Sequence, residues 1–146
     1  MVKNMDARQK IQNILDSTQL ATIATVNPTN LQPESALIAF VESDSLELYF
    51  QTGTNTRKFE NLKINSKVSF VIGFGRTTVQ YEVDASEVRD EAKMIRIRQL
   101  FLDKNSPTTA EFLNRPEISY FEVCPTWIGY SDYSHEKPIV FELTEF

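Results

Sequence analysis

One cysteine and one histidine in 146 residues leave little for several common chemistries. A structural zinc site draws on about four thiolate or imidazole ligands, so this sequence cannot assemble one from those side chains. Cys124 has no partner for an internal disulfide, and the stretch MVKNMDARQKIQNIL lacks the basic-then-apolar order of a secretory signal. The expected compartment is a reducing cytoplasm. No apolar run approaches the roughly 20 residues that span a bilayer, so no transmembrane helix is expected. Four glycines and six prolines are spread thinly, without a Rossmann fingerprint, a phosphate-binding P-loop, an internal repeat or a linker that would divide the chain. Positive charge is short as well: 15 Lys and Arg against 20 Asp and Glu give a net charge of −5. Nucleic acid and acidic membrane surfaces are therefore excluded as main partners, because phosphates are gripped by clustered cations. His135 sits in the polar segment SDYSHEKP, beside nothing like a nucleophile elbow, and reads as a surface side chain. Cys124 reads as a core residue.

What is present is a core-forming composition: 41% hydrophobic residues, with ten Phe and five Tyr, in a chain of single-domain length spanning 1–146. Ile11, Ile14 and Leu15 recur at helical spacing and predict a first helix over 5–17. Strands are predicted at 20–26, 35–41 and 46–52. In the last of these, Leu46, Leu48 and Phe50 alternate with an outer set of Glu47, Tyr49 and Gln51. Capping side chains at 54–56 open a short helix over 54–66 that turns Phe59 and Leu62 inward. Strands at 67–74 and 77–88 form a hairpin about Gly75 and Arg76, with Val79, Tyr81, Val83 and Ala85 on the dry face. A helical period returns over 89–104, with Ala92, Met94 or Ile95, Ile97 and Phe101 inward, and another helical turn runs from Pro107 to Leu113. Strands at 118–130 and 138–146 finish the chain. About seven short strands joined by tight turns predict a mainly β, antiparallel barrel with short peripheral helices. The basic residues of 89–104 are interrupted by Asp90, Glu91 and Asp103, which predicts a salt-bridged, solvated face.

With so few reactive side chains, redox chemistry here would require a bound cofactor. The informative segment is Gln51-Thr52-Gly53-Thr54-Asn55-Thr56-Arg57-Lys58. It joins a strand end to a helix start and carries hydroxyls and two adjacent cations. Open amides at a helix N-terminus attract anions, Arg57 can fork onto phosphate oxygens, and Lys58 adds a point charge. Spacing alone leaves two readings open: a terminal phosphate pocket, or a capping threonine flanked by two solvated cations.

The succession LATIATV, PESALIAFV, LELYFQTGTNTRKFENLKINSKVSFVIGF and VQYEVDASEV resembles the pyridoxamine 5'-phosphate oxidase-like family of FMN-binding split β-barrels, closely over about residues 10–90 and loosely beyond. The resemblance implies a split-barrel fold and FMN as cofactor. It assigns the phosphate to Thr56, Arg57 and Lys58, and the flavin ring or ribityl chain to Gln51, Thr52 and Gln80. It lays Ser35, Ala36, Leu37 and Ile38 along the isoalloxazine. It also implies a homodimer with flavin at the interface, Trp127 being a candidate for the wall supplied by the second subunit. Ala36 and Val41 are apolar where the oxidase itself carries basic residues, and the oxidase's Arg- and His-containing carboxy-terminal signature is missing. The expectation is thus a short relative, an FMN-dependent oxidoreductase of a small molecule or nicotinamide donor. The competing expectation is a non-catalytic holder of flavin, deazaflavin or haem.

Overall fold

The computed structural model describes residues 2–104 and 106–146. Its elements are α1 (Val2–Ser17), β1 (Leu20–Val26), β2 (Pro33–Glu42), β3 (Leu48–Gly53), α2 (Arg57–Ile64), β4 (Lys67–Ile72), β5 (Thr77–Glu87), α3 (Glu91–Asp103), α4 (Ala110–Leu113), β6 (Ile118–Asp132) and β7 (Ile139–Leu143). All strand pairings are antiparallel. The order β3-β2-β1-β4-β5-β6 closes on itself through a β3–β6 pairing, and β7 extends the sheet beyond β6. Closure leaves no free edge among the first six strands.

Alternation explains the barrel wall. Along β4, Val68, Phe70 and Ile72 point inward while Lys67, Ser69 and Val71 face out, and β5 buries Val79, Tyr81, Val83 and Ala85. Inside, Phe50 stacks on Phe121 and meets the edge of Phe70, and α1 contributes Ile11 and Leu15 to the same cluster. Each such burial is worth about 1.5–3 kcal/mol relative to exposure. In the β4–β5 turn Gly73 has φ +88, and a Cβ there would lie 2.5 Å from the Thr77 carbonyl oxygen, so only glycine fits.

The expected strands and helices are all present, with shifted ends. Four expectations are corrected. Leu46 does not belong to β3: it is a buried turn residue at φ 68, in a loop where the Ser43 hydroxyl accepts from the amides of Ser45 and Glu47. Tyr49 is not on a wet face, because α3 covers it and a second cluster forms there with Val41, Val88, Ile97, Phe101, Leu113 and Tyr120. On α3 itself, Met94 takes the partly buried position, whereas Ile95 and Ala92 are exposed. Cys124 is exposed rather than in the core. The pleat turns Val123 inward at that point, and a bulge opposite Glu82 and Val83 then resets the phase of β6.

On α3 Lys93 pairs with Glu122 and Arg98 with Glu91, and Lys104 just past its end pairs with Glu42. The pairing matches the expectation, but these basic side chains are only 10–30% exposed, so this part of the face is packed against the barrel rather than solvated. His135 is exposed and lies 3.3 Å from Asp132. Among the described residues, no helix is long and apolar enough to cross a membrane, and no three His, Cys, Asp or Glu side chains cluster as metal ligands.

Candidate functional site

The strand-to-helix corner that the sequence singled out is built from a few hydrogen bonds. The Thr54 amide donates to the Glu117 carbonyl at 2.8 Å, pinning the end of β3 to the start of β6. Thr56 takes the extended N-cap conformation, φ −98 and ψ 157, and its hydroxyl oxygen accepts from the Phe59 amide. That hydroxyl donates its hydrogen to the Gly53 carbonyl at 2.9 Å, so at the 2.9 Å Thr52–Thr56 contact the Thr52 hydroxyl is the donor. Of the three possible caps, Thr56 performs the role. The amides of Arg57 and Lys58, at the first two helical positions, keep no intrahelical acceptor and carry the positive end of the helix dipole.

This corner opens onto a cavity of about 530 Å³. One wall is apolar, made by Leu20, Leu37, Ile38 and Ala39 from β1 and β2. A second is polar, made by Gln51, Thr52, Gly53, Thr56 and Lys58. A third comes from the segment leading into α4, with Pro107, Thr108, Thr109 and Phe112. Lys58 is half-buried, and burial lowers its pKa below the ordinary lysine value, with the like charge of Arg57 adding to the effect. A partly desolvated ammonium beside open amides gains most from an anion.

Arg57 is placed differently. Its side chain is 75% exposed and does not line the cavity; one guanidinium nitrogen, Nη1, is tied to Glu34 Oε2 at 3.1 Å. Glu34 in turn accepts from Asn61 Nδ2 at 2.8 Å, and Asn61 also reaches the buried Thr25 hydroxyl at 2.9 Å. The Asn61 hydrogen bond, helped by Asn27 and Arg57, holds the Glu34 carboxyl below the usual carboxylate range.

The remaining candidates are spread over the sheet. Leu37 lies on the cavity, 60% exposed, while Ala36 turns onto the barrel core and Ser35 faces outward opposite Ala24. Gln80 is exposed on the outer face, in a cross-strand row running Leu37, Thr22, Val71, Gln80 and Gly129. Three strand spacings, roughly 14 Å round the wall, separate it from Leu37. Trp127 lies farther along that face, its indole N–H donating to Glu142 at 2.8 Å. Its ring covers Gly129 so closely that an added Cβ would lie 2.4 Å from it. Gly129→Ala is accordingly expected to displace the indole, red-shift the emission of this sole tryptophan and cost about 1 kcal/mol of stability; unchanged emission would show that the packing is not tight.

Sequence reading missed Glu34, Asn61 and the Pro107–Phe112 wall. Asn61, four residues after Arg57 within a helix, was the available signal, since asparagine is a poor interior helix residue unless its amide is used.

Against known proteins, the family model for pyridoxamine 5'-phosphate oxidase matches residues 7–130. The chain belongs to this family. It is 25% identical to General stress protein 26 of Bacillus subtilis (strain 168) over 97% of this chain and all of that protein. Among solved structures, General Stress Protein 26 from Bacillus anthracis superposes with a TM-score of 0.70 at 19% identity, over 94% of this chain and 98% of that one. HutZ, the heme storage protein of Vibrio cholerae, also gives 0.70, at 13% identity over 90% and 92% of the two chains. At such identities these structures show the barrel fold alone and leave the ligand to be argued from the cavity.

Proposed function

We propose that the cavity holds flavin mononucleotide and that the protein is an FMN-dependent oxidoreductase acting on a small molecule or with a nicotinamide donor. The observation that carries this reading is the polarity of one continuous cavity. Lys58, Thr52 and Thr56 and the open amides of α2 gather at one end, and a flat apolar surface of Leu20, Leu37 and Ala39 lies alongside. That donor set suits a phosphate monoester, and the apolar wall suits a planar ring. Bound FMN would supply two-electron redox chemistry, which the side chains lining the cavity cannot provide. Lys58 and the α2 amides would fix the phosphate, Gln51 would offer its amide to the polar part of the ligand, and Phe112 with Pro107 would keep water from the ring.

Haem is less well served, because among the described residues the cavity lining contains no histidine, cysteine, methionine or tyrosine to ligate iron. One observation favours a flavin holder without turnover: among the described residues, Lys58 is the only titratable side chain on the cavity wall. The proposal includes a homodimer. Gln80 and Trp127 face away from this protomer's cavity, so they can wall a flavin only when supplied by a second copy, whose small outer-face residues Thr22, Ala24 and Ser69 permit close approach.

The deciding experiment is a visible spectrum of the purified protein with titration calorimetry against FMN and riboflavin. Flavin absorbance and tighter binding of FMN than riboflavin are expected; absence of FMN binding rejects the proposal. Anaerobic NADH or NADPH is expected to bleach the flavin rapidly in an enzyme and to leave it oxidised in a carrier.

A further inference from the structure

Glu34 stands out as a nearly buried carboxylate that does not line the cavity but is paired with Arg57, the residue next to Lys58 of the cavity wall. Its side chain is only 10% exposed, and both oxygens are committed: Oε1 to Asn61, Oε2 to Arg57 and, at 3.5 Å, to Asn27. The chain Thr25, Asn61, Glu34, Arg57 links β1, α2 and β2 through three contacts of 2.8–3.1 Å. Such a chain fixes the carboxylate and, through it, one nitrogen of a long and otherwise mobile side chain. The rest of the guanidinium is left open, since Arg57 is 75% exposed and directly precedes Lys58 on the cavity wall. A guanidinium has five N–H donors, so the ion pair consumes one and leaves the others available.

We infer that Glu34 is a positioning residue: held by Asn61, it orients Arg57 at the cavity rim so that the free guanidinium edge meets the phosphoryl group of the ligand. The inference rests on the phosphate reading above. It also accounts for Arg57 having no place on the cavity wall itself, because an arm anchored at the rim contributes only once an anion bridges it to Lys58. Pre-anchoring lowers the side-chain entropy lost on binding, which otherwise falls on the ligand's affinity.

The test compares FMN with riboflavin, which differ only by the phosphate, on intact protein at 0.15 M salt, where distant charges are largely screened. Glu34→Gln removes the carboxylate charge and leaves at most a neutral amide oxygen to hold Arg57, and is expected to weaken FMN binding about tenfold while riboflavin stays within twofold. Asn61→Ala keeps every charge and frees the carboxylate, so the same selective loss is expected; thermal melting confirms that each variant is folded. A merely structural role lowers both affinities together, and a repulsive Glu34 makes FMN bind tighter in Glu34→Gln; either result overturns the inference. If the wild type itself does not prefer FMN over riboflavin, the phosphate reading fails first, a result distinct from an unchanged preference in the variants alone.

Discussion

Lys58→Ala is expected to weaken FMN binding by about 10- to 100-fold, with riboflavin affinity changed less than twofold, and to leave the ligand-free protein as stable as before or slightly more so. The size follows from losing one charge-assisted phosphate contact, worth about 1.5–3 kcal/mol. The selectivity follows from its position at the polar end of the cavity, among Thr52, Thr56 and the first amides of α2. The stability result follows from burial, which disfavours the ammonium form of Lys58 in the folded chain. Between its lowered pKa and the ordinary lysine value near 10.4, the unfolded chain binds more protons at this site than the folded one, so this group's contribution to stability rises with pH across that window. Phosphate affinity runs the other way, because the contact is lost as Lys58 deprotonates. Wild-type FMN affinity should thus fall on the alkaline side before an ordinary lysine would titrate, and Lys58→Ala should flatten that limb. Calorimetry over a pH series measures both; equal losses for FMN and riboflavin would move the phosphate elsewhere.

Part of this site was legible because one short segment carries it. Gln51 to Lys58 runs from strand to helix without interruption, and residue chemistry over eight positions sufficed to mark a corner of which Gln51, Thr52, Gly53, Thr56 and Lys58 line the cavity, whereas Thr54, Asn55 and Arg57 do not. The barrel was legible for a similar reason: β4 and β5 alternate cleanly, and alternation is a local property. Tyr49 and Cys124 show where local reading stops. The phase of β3 puts Tyr49 outward, yet α3, arriving some 45 residues later, makes the outward side dry. Cys124 sits in an apolar stretch, and only the pairing with β5 decides which side of the pleat it occupies. Glu34 and the Pro107–Phe112 wall fall in the same class. Each reaches the site only once the barrel has closed or α3 has packed, and neither carries a spacing signal of its own.

Closure of the barrel is also where the largest stability effect is expected. Phe50 is fully buried at the centre of β3, opposite Phe40 on β2 and Phe121 on β6. Its ring stacks on Phe121 at 5.2 Å and meets Phe70 edge-on at 5.8 Å, so one side chain ties together the strands on both sides of the closing seam. Phe50→Ala removes those contacts and leaves a cavity that the rigid, hydrogen-bonded wall cannot fill, at a cost of about 3–5 kcal/mol. In a domain whose total stability is about 5–15 kcal/mol, that loss brings the ligand-free protein near the unfolding threshold. Denaturant unfolding should show the midpoint falling with little change in slope. A loss below about 1 kcal/mol would mean that the seam repacks and that Phe50 does not hold it. Because Gln51 and Thr52 continue the same strand into the cavity, the proposed FMN binding would be linked to barrel closure: a ligand bound only by the folded form stabilises it by RT ln(1 + [L]/Kd). At 100 times Kd that is about 2.7 kcal/mol, so saturating FMN is expected to recover most of the lost stability in Phe50→Ala but much less when Lys58→Ala is added.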